Sequence, residues 1–284
     1  MEESSKSRSS GWKIWVVIIL LPLIAGILLS LLVPRPILGV IYFGDDINAT
    51  TAKDLIAQLS YARDTPDVRG VVIILDSPGG TVTDTESVYM ELNRLRETKP
   101  IVTMVEGMAA SGAFYMSVGT DYVFAKPSSL VGNIGVIGYL PDPPFVMESI
   151  YSTGPYKMWG SPRDTYVREI DMLKQGFLQA VLLGRGNRLK TTQDVILRGQ
   201  IWPGADGLRL GLIDELGAQS QAYDKAASLA KISHYRVENL RDLAGLPEPQ
   251  PFPFYGKINE GITAHYPTEP GLYYLYIPFM EDQP

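Results

Sequence analysis

The stretch Gly70–Gly80, "GVVIILDSPGG", decides the fold. From Val71 to Leu75 it is apolar and mostly β-branched, with no polar residue between. A strand with one wet face alternates apolar and polar residues, whereas an unbroken run marks a strand covered on both faces. Covering both faces takes helices, and the flanking sequence supplies them. Upstream, "ILGVIYFG" (Ile37–Gly44) reads as a first strand and Thr50–Arg63 as an amphipathic helix. Downstream, Thr83–Glu97 is a helix charged on one side, "KPIVTMVEG" (Lys99–Gly107) a strand, and "DYVFAK" (Asp121–Lys126) a shorter one. Strands alternating with helices imply right-handed parallel crossovers, hence an α/β class with parallel sheets and flanking helices. Ligands in such sheets gather at the carboxyl ends of the strands. Two of those ends carry unusual sequences, "DSPGG" (Asp76–Gly80) and "EGMAAS" (Glu106–Ser111).

At 284 residues the chain can bury a substantial core. Its 25 Lys+Arg against 31 Asp+Glu, without a basic cluster, speak against a nucleic-acid partner. The absence of cysteine rules out disulfides and thiol catalysis. His234 and His265 are the only histidines and form no HExxH pattern, so neither a metal nor a cofactor is expected. Residues 14–33, "IWVVIILLPLIAGILLSLLV", hold no charge. At about 1.5 Å per residue they span a hydrocarbon core of about 30 Å, longer than a signal peptide's apolar region. Lys6, Arg8 and Lys13 precede this span and only Arg35 follows closely, which places the N-terminus in the cytoplasm. The expected order is a cytoplasmic segment (1–13), a single transmembrane helix in the cell membrane's lipid bilayer (14–33), a main domain on the outer side (37–240) and a tail rich in proline and aromatics (245–284). Further helices are expected at Thr165–Asn187, Thr191–Arg198 and Gln219–Lys231. The tail is too proline-broken for a helix and too apolar for plain disorder, so it should lie extended on its own or a neighbouring subunit.

The chemistry-bearing residues each have a bland and a sharp reading. Gly79 and Gly80 are ordinary turn punctuation, or backbone donors that approach a developing negative charge. Ser111, inside "GMAASGAFYMS" (Gly107–Ser117), caps a helix or attacks a substrate. A nucleophilic serine needs a base. Lys157, between Tyr156, Met158 and Trp159, either snorkels or is desolvated enough to serve. "SLAK" (Ser228–Lys231) matches S-x-x-K but lacks the accompanying elements of penicillin-binding enzymes, and a helix face explains it better.

Four ordered motifs, "GVVIILDSPGG", "KPIVTMVEGMAASGAFYMS", "SSLVGNIGVIG" and "GPYKMWGSP", resemble the signal peptide peptidase A family over roughly residues 37–235. The resemblance implies a Clp protease/crotonase-like fold of the short, undoubled type and a membrane serine peptidase with a Ser-Lys dyad acting through an acyl-enzyme. It implies Ser111 as nucleophile, Lys157 as general base, and the amides of Gly80 and Gly112 as the oxyanion hole. Gly79, Met108, Ala109, Leu130, Val131 and Asn133 would line the substrate path. The expected substrates are hydrophobic peptides such as remnant signal peptides, and the expected assembly is a homo-oligomeric ring. The sequence departs from the family at Asn133, where relatives commonly carry a serine that supports the lysine, and across the proline-rich Gly138–Tyr151. An amide oxygen can still accept from lysine. A crotonase-like acyl-CoA enzyme and a non-catalytic membrane scaffold, in which Ser111 only caps a helix, are the alternatives.

Overall fold

The computed structural model describes residues 11–32, 35–139, 153–154, 156–157, 160–248, 257–258, 262–263 and 271–276. After helix α1 (Gly11–Leu32) the chain alternates as expected: β1 (Ile37–Phe43), α2 (Ala49–Asp64), β2 (Val68–Ser77), a short β3 (Gly79–Thr81), α3 (Val82–Arg96), β4 (Ile101–Ala110), α4 (Gly112–Ser117) and β5 (Tyr122–Ala125). Asn48 starts α2 with a capping box: its side chain accepts from the amides of Thr50 and Thr51, and Thr51 Oγ1 accepts from the Asn48 amide. Then come β6 (Leu130–Gly132), β7 (Ile137–Tyr139), α5 (Arg163–Arg185), α6 (Gln193–Ile196), β8 (Ile201–Pro203), α7 (Gly204–Leu210), β9 (Glu215–Leu216), α8 (Gln219–Leu229), β10 (Arg236–Asn239) and α9 (Leu240–Leu243). The tail contributes β11 (Lys257–Ile258), β12 (Ile262–Thr263) and β13 (Gly271–Leu275).

The main sheet runs β10-β1-β2-β4-β5-β9, all parallel, with β6 continuing the far end of β4 and β8 antiparallel to β6. Alternate residues of β2 serve opposite faces, as the unbroken apolar run requires. Val71, Ile73 and Leu75 join the larger core with Leu55 and Leu59 of α2 and Val88 and Leu92 of α3. Val72 and Ile74 join Leu38, Val40, Val102 and Met104 in a second core with Ala222 and Ala226 of α8. A second sheet, β3-β13-β7, is antiparallel and draws its middle strand from the tail, so that β13 lies on its own chain.

α1 is helical across Gly11–Leu32, and its side chains are described at Trp12 and over residues 15–27. Over the described residues no helix is long and apolar enough to cross a membrane. The proline-rich residues 140–152, His265 and most of the tail lie outside the described residues.

One buried ion pair ties α5 to the sheet. The Arg185 guanidinium meets both oxygens of Asp214 at 2.9 Å, donates from Nε to Gly211 O at 2.8 Å, and shares Asp214 with the Val123 amide and Arg188. Burial pushes the Asp214 carboxyl upward, but Arg185, the Val123 amide and Arg188 together hold it below the usual carboxylate range. A depressed folded-state pKa gives stability that is present above the unfolded carboxylate value, about 4, and is lost as pH falls through the folded one. Asp214→Ala leaves Arg185 charged and buried without its partner, so urea unfolding should show a loss of about 3–5 kcal/mol at neutral pH that shrinks in acid. A loss below about 1 kcal/mol would contradict this role for the pair.

Candidate active site

The site begins with a break in register. β2 and β4 pair from Val71 with Ile101 to Leu75 with Val105, but Ser77 then pairs with Ala109, so β4 carries two extra residues at that point. The bulge faces Asp76. A Cβ at Gly107 would lie 2.5 Å from Asp76 Oδ1, so this glycine is small to admit a carboxylate. Bulging strips carbonyls of their ladder partners. Ser129 supports the carbonyls here: its buried hydroxyl lies 3.0 Å from Val105 O and 2.9 Å from Glu106 O. Nothing local in the sequence marks Ser129 for this task, because its partners are more than twenty residues away.

Past the bulge, β4 pairs with both Ser77 and β6, then turns into α4 at Ser111. Ser111 has φ 50° and ψ −117°, outside the regions open to an L-residue. Such a conformation costs about 1–3 kcal/mol and survives only where its surroundings enforce it. Here the Ser111 amide donates to Gly132 O at 2.8 Å and its carbonyl accepts from the Tyr115 amide at 2.9 Å. Ser111 occupies the N-cap position of α4, yet its side chain makes no capping hydrogen bond. The capping explanation therefore fails. A strained serine between strand and helix, with its side chain outside the helix cap, has a geometry suited to presenting a nucleophile.

The glycine turn lies against this serine. Gly79 has φ 104°, and a Cβ there would stand 2.7 Å from the Gly112 amide nitrogen and 2.1 Å from Tyr274 O. Its own amide donates to Ser77 Oγ at 3.2 Å and its carbonyl accepts from the Ile47 amide at 2.8 Å. Since the Ile47 amide donates to Gly79 O and the Thr81 amide donates to Ile47 O, the pleat turns the polar groups of Gly80 to the opposite edge, toward β13. Gly112 opens α4, where a helix leaves amides without internal partners. Gly80 and Gly112 thus suit the donor role better than Gly79.

The substrate-path residues divide. Met108 and Leu130 sit opposite each other and are partly exposed, whereas Ala109 and Val131 are fully buried core residues. Val131 packs within the core. Asn133 takes φ 56°, donates from its side-chain amide to Gly199 O at 2.7 Å, and lines a cleft of about 410 Å³ with Gly135, Ile137, Gln200, Leu275 and Tyr276. Lys157 stands exposed in a turn, its amide bonded to Gly154 O at 3.2 Å. Among the described contacts none joins Lys157 to Ser111, and Met158 and Trp159 lie outside the described residues. His234 is exposed just before β10, whose Arg236 pairs with Ile37, at the amino ends of the strands and so at the far end of the sheet from Ser111. Ser228–Lys231 simply closes α8, with Lys231 at φ 57°.

Comparison with known proteins agrees with this architecture. Residues 93–233 match the model of peptidase family S49, and residues 37–131 match that of Clp protease. Protease 4 of Salmonella typhi is 32% identical over 72% of this chain and 35% of its own length. The chloroplastic serine protease SPPA of Arabidopsis thaliana is 26% identical over 69% of this chain and 31% of its own. The chain spans about a third of the length of these curated relatives. Among solved structures, a lysine-to-alanine mutant of the 1510-N membrane-bound stomatin-specific protease, in complex with a substrate peptide, superposes with a TM-score of 0.50 at 13% identity, covering 73% of this chain and 93% of that one. That likeness shows the fold.

Ser129→Ala should remove the hydroxyl that supports the bulge carbonyls and cost about 1–3 kcal/mol in denaturant unfolding. It should also lower any activity that depends on Ser111, although Ser129 touches no substrate. Unchanged stability would mean that the bulge does not need this hydroxyl.

Proposed function

As this chain belongs to peptidase family S49, the signal peptide peptidase A family of serine peptidases, we propose that it is a membrane-anchored serine endopeptidase with Ser111 as nucleophile and Lys157 as general base. The observation that carries the reading is the strained backbone of Ser111 with its hydroxyl left out of the helix cap. Neutral Lys157 takes the proton from Ser111 Oγ, which attacks the peptide carbonyl. The tetrahedral oxyanion accepts hydrogen bonds from the amides of Gly80 and Gly112. Collapse breaks the C–N bond, Lys157 returns the proton to the leaving amine, and water hydrolyses the acyl-enzyme by the same route in reverse. No step calls for a metal or cofactor.

Asn133 takes the supporting part that a serine plays in relatives. Its side-chain NH₂ is committed to Gly199 O, which leaves the amide oxygen to accept from a lysine ammonium, and the cleft beside it has room for that side chain. Met108 and Leu130, partly exposed at the edge of the path, favour hydrophobic peptides, including remnant signal peptides. The exposed apolar side chains of α1, from Trp15 to Ile27, support a single membrane anchor, with the cationic N-terminus cytoplasmic and the catalytic domain outside. A homo-oligomeric ring, common in the Clp-like fold, would assemble these domains side by side.

Ser111→Ala and Lys157→Ala should each lower peptide cleavage by about a thousandfold or more, with assembly unchanged in size-exclusion chromatography. Lys157→Arg should be equally inactive, because a guanidinium does not give up its proton in this pH range. Retained cleavage in any of the three sinks the assignment. A lysine base works only when neutral, so kcat/KM should climb toward alkaline pH, and an acid optimum would contradict it.

A further inference from the structure

The second sheet contains a vacancy filled from within. β3 and β7 do not pair with each other; each pairs antiparallel with β13, which runs between them. Without β13 they would be two open strand edges flanking a gap one strand wide, the arrangement that takes up an extended peptide by strand addition.

The register of that filler is specific. Tyr274 stands opposite Gly80, with Tyr273 opposite Thr81 and Leu275 opposite Gly79, and the Tyr276 amide donates to Pro78 O at 2.9 Å. In an antiparallel ladder every second pair exchanges hydrogen bonds, so the pair of Tyr276 with Pro78 makes Tyr274 with Gly80 the next bonded one. The Tyr274 carbonyl therefore faces the Gly80 amide. The same oxygen lies 3.1 Å from the place a Cβ would take on Gly112. It occupies the corner between the two glycines assigned to the oxyanion, where the reacting carbonyl of a substrate would lie.

Its side chain is equally well placed. Tyr274 is fully buried, its ring stacked on Tyr115 at 5.4 Å between centroids and edge-on to Phe177 at 5.0 Å, and its hydroxyl donates to Leu173 O at 3.0 Å. Tyr115 lies one helical turn past Ser111, and Leu173 and Phe177 come from α5. Burial, then Glu86 and Tyr89, pushes the Tyr115 phenol up to about 12, and burial, then Tyr115 and Glu86, raises that of Tyr274. Both stay neutral at the alkaline pH a lysine base needs.

We infer that β13 is an intramolecular peptide ligand of the active-site groove, that the slot of Tyr115, Phe177 and Leu173 O selects tyrosine at the residue whose carbonyl meets Gly80 and Gly112, and that a substrate strand enters only when β13 leaves. The groove's catalytic use rests on the peptidase reading; its peptide binding does not. One backbone amide cannot serve two strands at once, so the tail and the substrate compete. The apparent affinity for an outside peptide falls with the fraction of molecules whose groove is open.

Thr81 and Tyr273 are directly opposite, and the chain has no cysteine, so Thr81→Cys with Tyr273→Cys in the full chain places one disulfide that fastens β13 to β3. The probe is a fluorescein-labelled hexapeptide with the sequence of Gly271–Tyr276, followed by anisotropy in oxidised and reduced protein. The reduced form should bind it at least about tenfold more tightly than the oxidised form, and cleave a tyrosine-containing peptide correspondingly faster. Replacing the tyrosine that corresponds to Tyr274 with phenylalanine should weaken the probe severalfold, and with alanine abolish its binding. Tyr276→Pro, which deletes the amide bonded to Pro78, should loosen the tail and tighten probe binding without any disulfide. Equal binding in both redox states overturns the inference. A reduced form that binds the peptide without cleaving it supports the inference and counts against the peptidase reading instead.

Discussion

The two-residue slip between β2 and β4 is the constraint on which the rest depends. Regular pairing would carry β4 past β2 at constant offset and leave Ser111 out of step with Gly79 and Gly80. The bulge bends β4 so that Ala109 pairs with β2 and β6 together, and the strand ends beside the glycine turn. Its conditions are local and severe: no side chain at Gly107, a hydroxyl at Ser129, and Asp76 seated against the bend. The strain at Ser111 follows, because its amide is held by Gly132 on β6 while its carbonyl has already begun α4.

Smallness in "GMAASGAFYMS" has several physical causes. Gly107 yields to a carboxylate, Ala109 and Ala110 are enclosed in the sheet, and Gly112 leaves room for Thr85 Oγ1 and a carbonyl oxygen from β13. Close packing and access to Ser111 are consequences of the same bend.

The α/β order was legible because both faces of β2 are buried, and the uninterrupted run of apolar residues records that directly. Ser111 and the glycines were legible as unusual sequences at strand ends. The bulge, Ser129, the Arg185–Asp214 pair and the seat of β13 were not, since each depends on residues brought together across long stretches of chain. The register of β13 became apparent only through Tyr274 and Gly80. What makes the groove fit for a substrate, two strand edges and a closed aromatic slot, also makes it fit for this tail.

The most direct measurement is the site of reaction with a fluorophosphonate, mapped by mass spectrometry on the intact protein. The account predicts a single adduct on the hydroxyl of Ser111, formed faster as pH rises and absent from Ser111→Ala. No adduct on Ser111, or one on another serine that persists in Ser111→Ala, would contradict the claim that this strained turn presents the nucleophile.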